Sequence, residues 1–508
     1  MGKEESLLLR IIKYIVLFMS GGIVFFLGFY SMIRTTTFKE MELPFFINND
    51  NLGFNIVFFI FFVVVMIVFV SLLDRIQWLS PGKIIFIECI TLGILCLLWC
   101  FFSKSNPAAD QKSIIRLAKI LIDSEQYDAE RTAELIRYIQ MFPYQIGIVS
   151  CYQIIFKLFG LWYSTEEIQV FNVICYSLSL FFMSQITYKI FKSKKVLLYQ
   201  AISTILFTPW YFMIPFCYGD MPSLMFSLGG VYFFLLYENT KKRKNVFFMI
   251  VFLICSCILK PNGIIFVAAF CCMLVLKTIQ KNEMKSFALA IILFLACSMA
   301  LPTLKLIYNQ IYKLDMQEGS PVYGNMVMGL SESFNAGRYT GYVIKVYDRF
   351  EPDTVAMKQD ALVQIQQRVD FFCNDIPYTI NFFKEKIATE YCEPSYESLL
   401  NNKYYSGEAE FVSEIYYGNM GKGLLTFQNY FQSSMYILFF IYIVGLFKKN
   451  VEANEFLFVI YFLGIFLFQI VWEAQGRYVL PSVIGILPCV AYGCYKLENV
   501  IREIKSKR

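Results

Sequence analysis

Residues 84–111 read IIFIECITLGILCLLWCFFSKSNPAADQ. The run from Ile84 to Phe102 holds one charged residue, Glu88. As a helix it is long enough to cross the roughly 30 Å hydrocarbon core of a bilayer. The next stretch, Asn106-Pro-Ala-Ala-Asp110-Gln111, sets a carboxylate at the edge of that membrane. Lys112 to Phe142 is too charged to cross. Its apolar positions (Ile115, Ala118, Ile120, Leu121, Leu135, Ile136, Ile139) fall at helical spacing and suit helices lying on the interface.

The rest of the chain has the same character as the run before Asp110. Of its 508 residues, 57% are hydrophobic and 18% aromatic, and the mean hydropathy is +0.54. A soluble domain of that size needs a polar skin that this composition does not supply. The net charge of +6 gives no sign of nucleic-acid binding, but the placement of the basic residues orients the chain. Lys3, Arg10 and Lys13 precede a long apolar run without a small-residue cleavage site, which reads as an uncleaved signal anchor.

Twelve crossings satisfy the basic clusters, at about 11–33, 54–73, 84–102, 170–191, 196–216, 222–237, 246–259, 263–277, 287–306, 430–447, 456–472 and 479–495. They place Arg75 and Lys83, Lys192 to Lys195, Lys241 to Lys244, Lys277 to Lys285, Lys448-Lys449 and the tail from Lys496 on the cytoplasmic side. Gln145 to Gly160 is short and interrupted by Lys157, and counting it as a crossing would put Lys192 to Lys195 outside. It is therefore read as juxtamembrane. The resulting organisation is three spans (1–103), an exterior loop with juxtamembrane helices (104–160), six spans (161–307), an exterior domain (308–429), and three spans with a cytoplasmic tail (430–508). Within the exterior domain, Met357 to Tyr391 reads as amphipathic helix broken at Pro377. The expected fold is an all-α polytopic membrane protein.

Histidine is absent, which removes imidazole bases and histidine metal sites. Most of the fifteen cysteines stand in apolar runs as small hydrophobes. Cys373 and Cys392 lie in the polar segment, where the sequence leaves their pairing open. Glu88 reads as snorkelling or pairing with Arg75 or Lys83 rather than as catalytic. Four polar clusters fall at exterior span ends: Asp110-Gln111, Gly219-Asp220, Lys260-Pro-Asn262 and Glu473 to Tyr478. Ionisable groups at membrane depth are costly and mark function.

This order of features resembles the GT-C superfamily of polyprenyl-phosphate-sugar-dependent membrane glycosyltransferases. It looks closest to the Gram-positive, dolichyl-phosphate-mannose-protein mannosyltransferase-like group. The similar stretches are Ala108 to Gln111, Phe142-Pro-Tyr-Gln-Ile-Gly147, Tyr218-Gly-Asp220, Lys260-Pro-Asn262 and Glu473 to Pro481, with Met328-Gly-Leu330 and Glu385 to Leu400 in the exterior domain. The resemblance implies a GT-C-like bundle of about twelve transmembrane helices, a polyprenyl-phosphate-linked sugar as donor, and a cell-envelope glycan, lipid or protein as acceptor. It also implies a plasma-membrane location with cytoplasmic termini and an exterior site.

The chain departs from the family pattern in two extra N-terminal spans, a lone second acid, and Tyr144 where relatives often have histidine. Glycosyl transfer requires an acceptor hydroxyl to lose its proton, and without histidine Asp110 is the candidate base, with Asp220 a positioning acid. Lys260 and Arg477 are the candidate clamp for a lipid phosphate. Gln111, Tyr144, Gln145, Asn262, Glu473 and Tyr478 complete the candidate substrate-binding set. A divalent metal near Asp220 stays open. A membrane-embedded polysaccharide polymerase and a lipid-linked sugar transporter or flippase are the alternatives. A transporter would show internal repeats, and none stands out.

Overall fold

The computed structural model describes residues 7–39, 42–123, 128–160, 165–447 and 451–506. Lys3, Lys448-Lys449, Lys507 and Arg508, used above to orient the chain, lie outside them. The chain is 80% helical. In order, α1 spans Leu7–Ile33, β1 Arg34–Lys39, β2 Glu42–Asn49, α2 Leu52–Asp74, α3 Pro81–Ser103, α4 Asp110–Ile120, α5 Ala129–Met141 and α6 Ile146–Phe159. Next come α7 Thr165–Phe191, α8 Lys194–Leu206, α9 Thr208–Phe212, α10 Asp220–Thr240, α11 Arg243–Leu259, α12 Gly263–Lys281 and α13 Met284–Tyr312. The polar segment holds α14 Tyr323–Leu330, α15 Tyr342–Phe350, α16 Thr354–Asn374, α17 Ile376–Tyr391, α18 Ser398–Asn401 and α19 Glu410–Tyr417. The chain closes with α20 Asn419–Leu446, α21 Leu457–Val471, α22 Gly476–Gly485 and α23 Leu487–Ser506.

Among the described residues eight helices are long and apolar enough to cross a membrane: α1, α2, α3, α7, α12, α13, α20 and α21 with the turn before it. The pair α22–α23, bent by 50°, makes a ninth if it counts as one span. This is a multi-pass helical architecture. The expected crossings at 196–216, 222–237 and 246–259 are not in that set. The first is broken, because α8 ends at Leu206 and α9 restarts around Pro209, whose missing N–H interrupts the ladder. The second, α10, carries Asp220 and Glu238, and the third, α11, has 17 residues.

Hydrogen bonds tie the inter-helix segments into two groups at opposite ends of the bundle. At one end Thr36 N–H donates to Cys392 O (2.9 Å), Asn106 N–H to Tyr404 O (2.6 Å) and Ala474 N–H to Gly337 O (2.8 Å). Asn402 Nδ2 donates there to Phe212 O (3.0 Å). At the other end Lys194 Nζ donates to Asp74 O (3.0 Å), Lys195 pairs with Glu498 (2.9 Å), and Asn454 Nδ2 donates to Glu238 (2.7 Å). The described basic clusters that orient the chain thus gather at one end, and the four polar clusters at the other.

Helix α6, read above as juxtamembrane, has 14 residues, about 21 Å, which is less than the hydrocarbon thickness. Gln153 fixes it at the polar end by donating to Tyr312 Oη (2.6 Å) and Leu121 O (3.1 Å). Its other face, Ile154, Leu158 and Phe159, is exposed. The break expected at Pro377 is present: Asp375 accepts from Tyr378 N–H (2.9 Å) and caps α17, with Pro377 in its first turn.

The all-α architecture carries one addition, an antiparallel hairpin of β1 and β2 in which Thr36 pairs with Ile47 and Phe38 with Phe45. Its β-branched and aromatic residues suit a pleated surface, and it packs on α17. Glu88 pairs with neither Arg75 nor Lys83. Because α3 packs against α7 and α8, the carboxylate points into the bundle and accepts from Ser184 Oγ (2.7 Å) and Gln200 Nε2 (3.0 Å). Cys373 and Cys392 are both free, the first exposed and the second buried.

Candidate active site

Four helices begin at the polar end with a predicted site residue in or beside their first turn. Asp110 opens α4, Asp220 opens α10, Asn262 precedes α12, and Arg477 follows Gly476 at the start of α22. Helix N-termini carry partial positive charge, so the two carboxylates sit where their helices favour them. The backbone before Asp110 turns through Ala109, at φ +46° and ψ −126°, a conformation that residues with a Cβ rarely adopt.

Two close approaches assemble these helix starts. A Cβ at Gly147 would lie 1.7 Å from Ile258 O, and one at Gly219 would lie 2.2 Å from Leu259 O. Only glycine lets both turns rest on the last carbonyls of α11, immediately before Lys260. Gln111 Oε1 accepts from Cys217 N–H (2.8 Å), joining α4 to the turn before α10. Gln145 Nε2 donates to Tyr218 Oη. Tyr144 is partly exposed, its ring 6.1 Å from that of Phe142.

Arg477 is the centre of the cluster. Its guanidinium carbon lies 5.2 Å from the Phe216 ring centroid, 5.3 Å from Tyr218 and 5.1 Å from Tyr478. Its Nε donates to Gln475 Oε1 (2.5 Å), and Gln475 Nε2 donates to Glu473 Oε1 (2.6 Å). Asp110 and Glu473 are close enough to act on its charge. Among the described residues, however, none lies within the 4.0 Å of a salt bridge.

Asp110 is half-buried and remains accessible. Burial raises its carboxyl above the ordinary range, while Arg477 and then Tyr138 pull it back down. The Tyr138 hydroxyl is buried beside it without a partner in hydrogen-bonding geometry among the described residues. Glu473, 4% exposed, is raised by burial and opposed by the bond from Gln475 and by Arg477.

Lys260 has a different status from the one expected. It forms a buried ion pair with Asp220, and its ammonium lies 5.6 Å from the Tyr218 ring centroid and 5.5 Å from Tyr478. The clamp of two free cations thus reduces to one free cation, Arg477, with Lys260 already neutralised. Among the described residues no three Cys, Asp or Glu side chains are grouped as a metal ion would need.

Several contributors were not singled out from the sequence. Buried Arg338 pairs with buried Glu397, which also accepts from Gly476 N–H (2.9 Å). Lys386, 1% exposed, donates to Gly329 O (2.6 Å), Trp472 O (2.6 Å) and Ile470 O (3.1 Å). Tyr396 and Glu397 both have positive φ, +48° and +60°. Glu393 holds that turn by accepting from Ser395 N–H (3.0 Å), Ser395 Oγ (2.7 Å) and Glu397 N–H (2.6 Å). The polar segment thus grips the 472–477 turn that presents Arg477. Lys386, Glu393, Tyr396 and Glu397 stand in a stretch already noted for its resemblance, whereas Arg338 gave no local signal.

Compared with known proteins, the chain matches no family model, no curated protein and no solved structure. What the structure defines is a multi-pass helical architecture with a cluster of charged and aromatic side chains at one end of its bundle.

Proposed function

We propose that this chain is a GT-C-type membrane glycosyltransferase that moves a sugar from a polyprenyl phosphate to an acceptor hydroxyl of the cell envelope. The observation that carries the reading is the meeting of Asp110, an accessible carboxyl raised by burial, with Arg477, a stacked guanidinium without a salt bridge. A half-buried guanidinium at a helix N-terminus, with Asp110 and Glu473 nearby but no salt bridge, has room for a further anion, and a phosphate monoanion or diester suits its fork.

In this reading Asp110 takes the acceptor proton as the acceptor oxygen bonds to the anomeric carbon. The bond from that carbon to the phosphate oxygen breaks, and its electron pair leaves with the polyprenyl phosphate, whose charge Arg477 stabilises. A single displacement of this kind inverts the anomeric centre. Gln475 and Glu473 hold the guanidinium, Gln111 and Gln145 hold the loops, and Tyr144 and Tyr478 line the approach. The proposed topology is twelve crossings with both termini cytoplasmic and this site exterior, in the plasma membrane. It is supported by the grouping of basic clusters at one end and by the short α6.

The test uses purified protein and a labelled polyprenyl-phosphate sugar, and follows release of polyprenyl phosphate in the presence of acceptor. Asp110→Asn is expected to lower transfer by about two to four orders of magnitude with insertion and abundance unchanged. Full activity in that variant refutes the assignment. Movement of intact donor across a vesicle without cleavage would identify a flippase instead.

A further inference from the structure

Glu390, Glu393, Glu397 and Glu473 are buried in one cluster with two buried cations, Arg338 and Lys386. Even counting Arg477 beside Glu473, carboxylates outnumber cations. Such a cluster does not keep every carboxylate ionised. The four differ in what supports a charge. Glu397 has Arg338 and Gly476 N–H. Glu393 accepts from two backbone N–H groups and the Ser395 hydroxyl. Glu473 accepts from Gln475 and lies near Arg477. Glu390, 1% exposed, has one donor among the described residues, Gln469 Nε2 (2.9 Å), and no cation within the 4.0 Å of a salt bridge. The same amide has its own Oε1 buried without a hydrogen-bond partner among the described residues. A carboxyl that keeps its proton has an O–H to offer that acceptor, and a carboxylate has none.

We infer that Glu390 is a proton-operated latch on the 472–477 turn: neutral, it leaves Lys386 on the carbonyls that close α21, and ionised, it draws Lys386 off them and frees the turn. Lys386 stands one turn earlier on α17, at the i,i+4 spacing from which a lysine reaches a carboxylate. It spends its ammonium instead on Gly329 O, Ile470 O and Trp472 O. That allocation holds only while Glu390 lacks charge, because an ionised carboxylate outcompetes neutral carbonyls for an ammonium. Arg338, Glu397 and Tyr391 are the other charged or titratable groups facing Glu390, and Glu473 also faces Lys386. Burial raises Glu390 from 4.5 to about 8, against the pull of Lys386 and Gln469. The closed form therefore holds the proton more tightly than the open one. The latch is complete below about pH 4.5, weakens as pH rises to 8, and changes no further on this account above it. Lys386, lowered by burial to about 8, titrates only at and beyond the end of that window. The latch does not depend on what Arg477 binds, whereas its consequence for donor binding rests on the glycosyltransferase reading.

Hydrogen exchange of full-length protein in nanodiscs reads the latch without any ligand. The reporters are the amides of Ala474 and Gly476, bonded to Gly337 O and Glu397. Corrected for intrinsic rates, their protection should fall by up to about tenfold per pH unit between pH 4.5 and 8. Glu390→Gln keeps a donor for Gln469 and cannot ionise, so its protection should stay level. Lys386→Met has no ammonium to move and should show low protection throughout. The infrared carbonyl band of a protonated carboxylic acid should appear in the difference between unaltered protein and Glu390→Gln at the acid end of the range, and be gone above it. Protection that falls equally in Glu390→Gln, that falls in neither protein, or that stays steep in Lys386→Met overturns the latch, as does a missing infrared band. A short-chain polyprenyl phosphate is then titrated into the same nanodiscs. It should bind Glu390→Gln more tightly than the unaltered protein at pH 8 and equally at pH 4.5. Equal affinity at both overturns the link to donor binding. If neither protein binds that lipid at any pH, the glycosyltransferase reading fails while the exchange result still decides the latch.

Discussion

Lys386 is the most informative residue to change, because it touches no substrate in the proposed reaction yet holds the turn that presents Arg477. Its ammonium is buried and bonded to three carbonyls, two of which, Ile470 O and Trp472 O, lie at the C-terminal end of α21. Helix ends leave carbonyls without partners and carry partial negative charge, so a cation there satisfies both demands. Lys386→Met keeps the apolar stem and removes the charge and the donors. Three buried carbonyls left unpaired cost about 1–3 kcal/mol each. Against that, a cation no longer has to be desolvated, and burial already lowers its pKa to about 8. Breaking a buried charged cluster from one side costs about 3–5 kcal/mol net, and that is the expected loss in the docking of the polar segment. If about 2 kcal/mol of it falls on ordering residues 472–477, the KM for the lipid donor rises roughly thirtyfold, with kcat changed far less. Steady-state transfer against donor concentration, with proteolysis of the 472–477 turn as the structural readout, checks this. An unchanged donor KM alongside an unchanged proteolysis rate would refute the reasoning.

Arg477→Lys keeps a positive charge but loses the planar fork and the stacking on Phe216, Tyr218 and Tyr478. Binding of bare polyprenyl phosphate should weaken by about one to two orders of magnitude, and equal affinity in a titration would contradict the clamp. Transfer should fall as pH drops through the Asp110 pKa, because the base must be ionised. The acidic limb should lie above the ordinary 3.8, and a limb at or below that value would remove Asp110 as the group responsible. Burial raises Glu390 from 4.5 to about 8, against the pull of Lys386 and Gln469. A raised carboxyl binds its proton more tightly when folded, so its stabilising contribution is complete below about pH 4.5 and is lost as pH rises toward 8. Thermal unfolding from pH 4.5 to 8 should show that decline, and Glu390→Gln should flatten it.

What the sequence disclosed was whatever the membrane makes visible. Asp110, Asp220, Lys260 and Arg477 each stand where an apolar run stops, and a charge at such a break is conspicuous because the bilayer penalises it elsewhere. The pairing of Lys260 with Asp220 was not visible, since nothing in either local pattern says which breaks meet. Lys386 and Arg338 were hidden for a different reason. They belong to the amphipathic helices and loops of the polar segment, where a buried lysine and a solvated one look alike in sequence. The break in α8 could have been read from Pro209, and the hairpin from the run Thr35-Thr36-Thr37-Phe38 facing Phe45-Phe46-Ile47. The first is masked by apolar content, which marks depth in a membrane more clearly than it marks backbone form, and the second by its shortness between two crossings.

The placement of charge at helix starts explains why this end of the bundle needs the polar segment. Asp110 and Asp220 sit at the positive ends of α4 and α10, so each is locally favoured and needs little outside support. Arg477 sits at the positive end of α22, where the helix opposes it, and it has no salt-bridge partner among the described residues. Left to itself, that turn would unwind or swing the guanidinium toward water. Three contacts prevent this: Glu397 accepts from Gly476, Gly337 accepts from Ala474, and Lys386 seals the end of α21. The polar segment therefore fixes in place a cation that its own helix opposes and that Asp110 and Glu473 offset only without salt-bridge contact. In the proposed reaction a donor phosphate supplies a further anion there and gains charge as the sugar departs, so the site would be more complementary to the leaving group than to the intact donor.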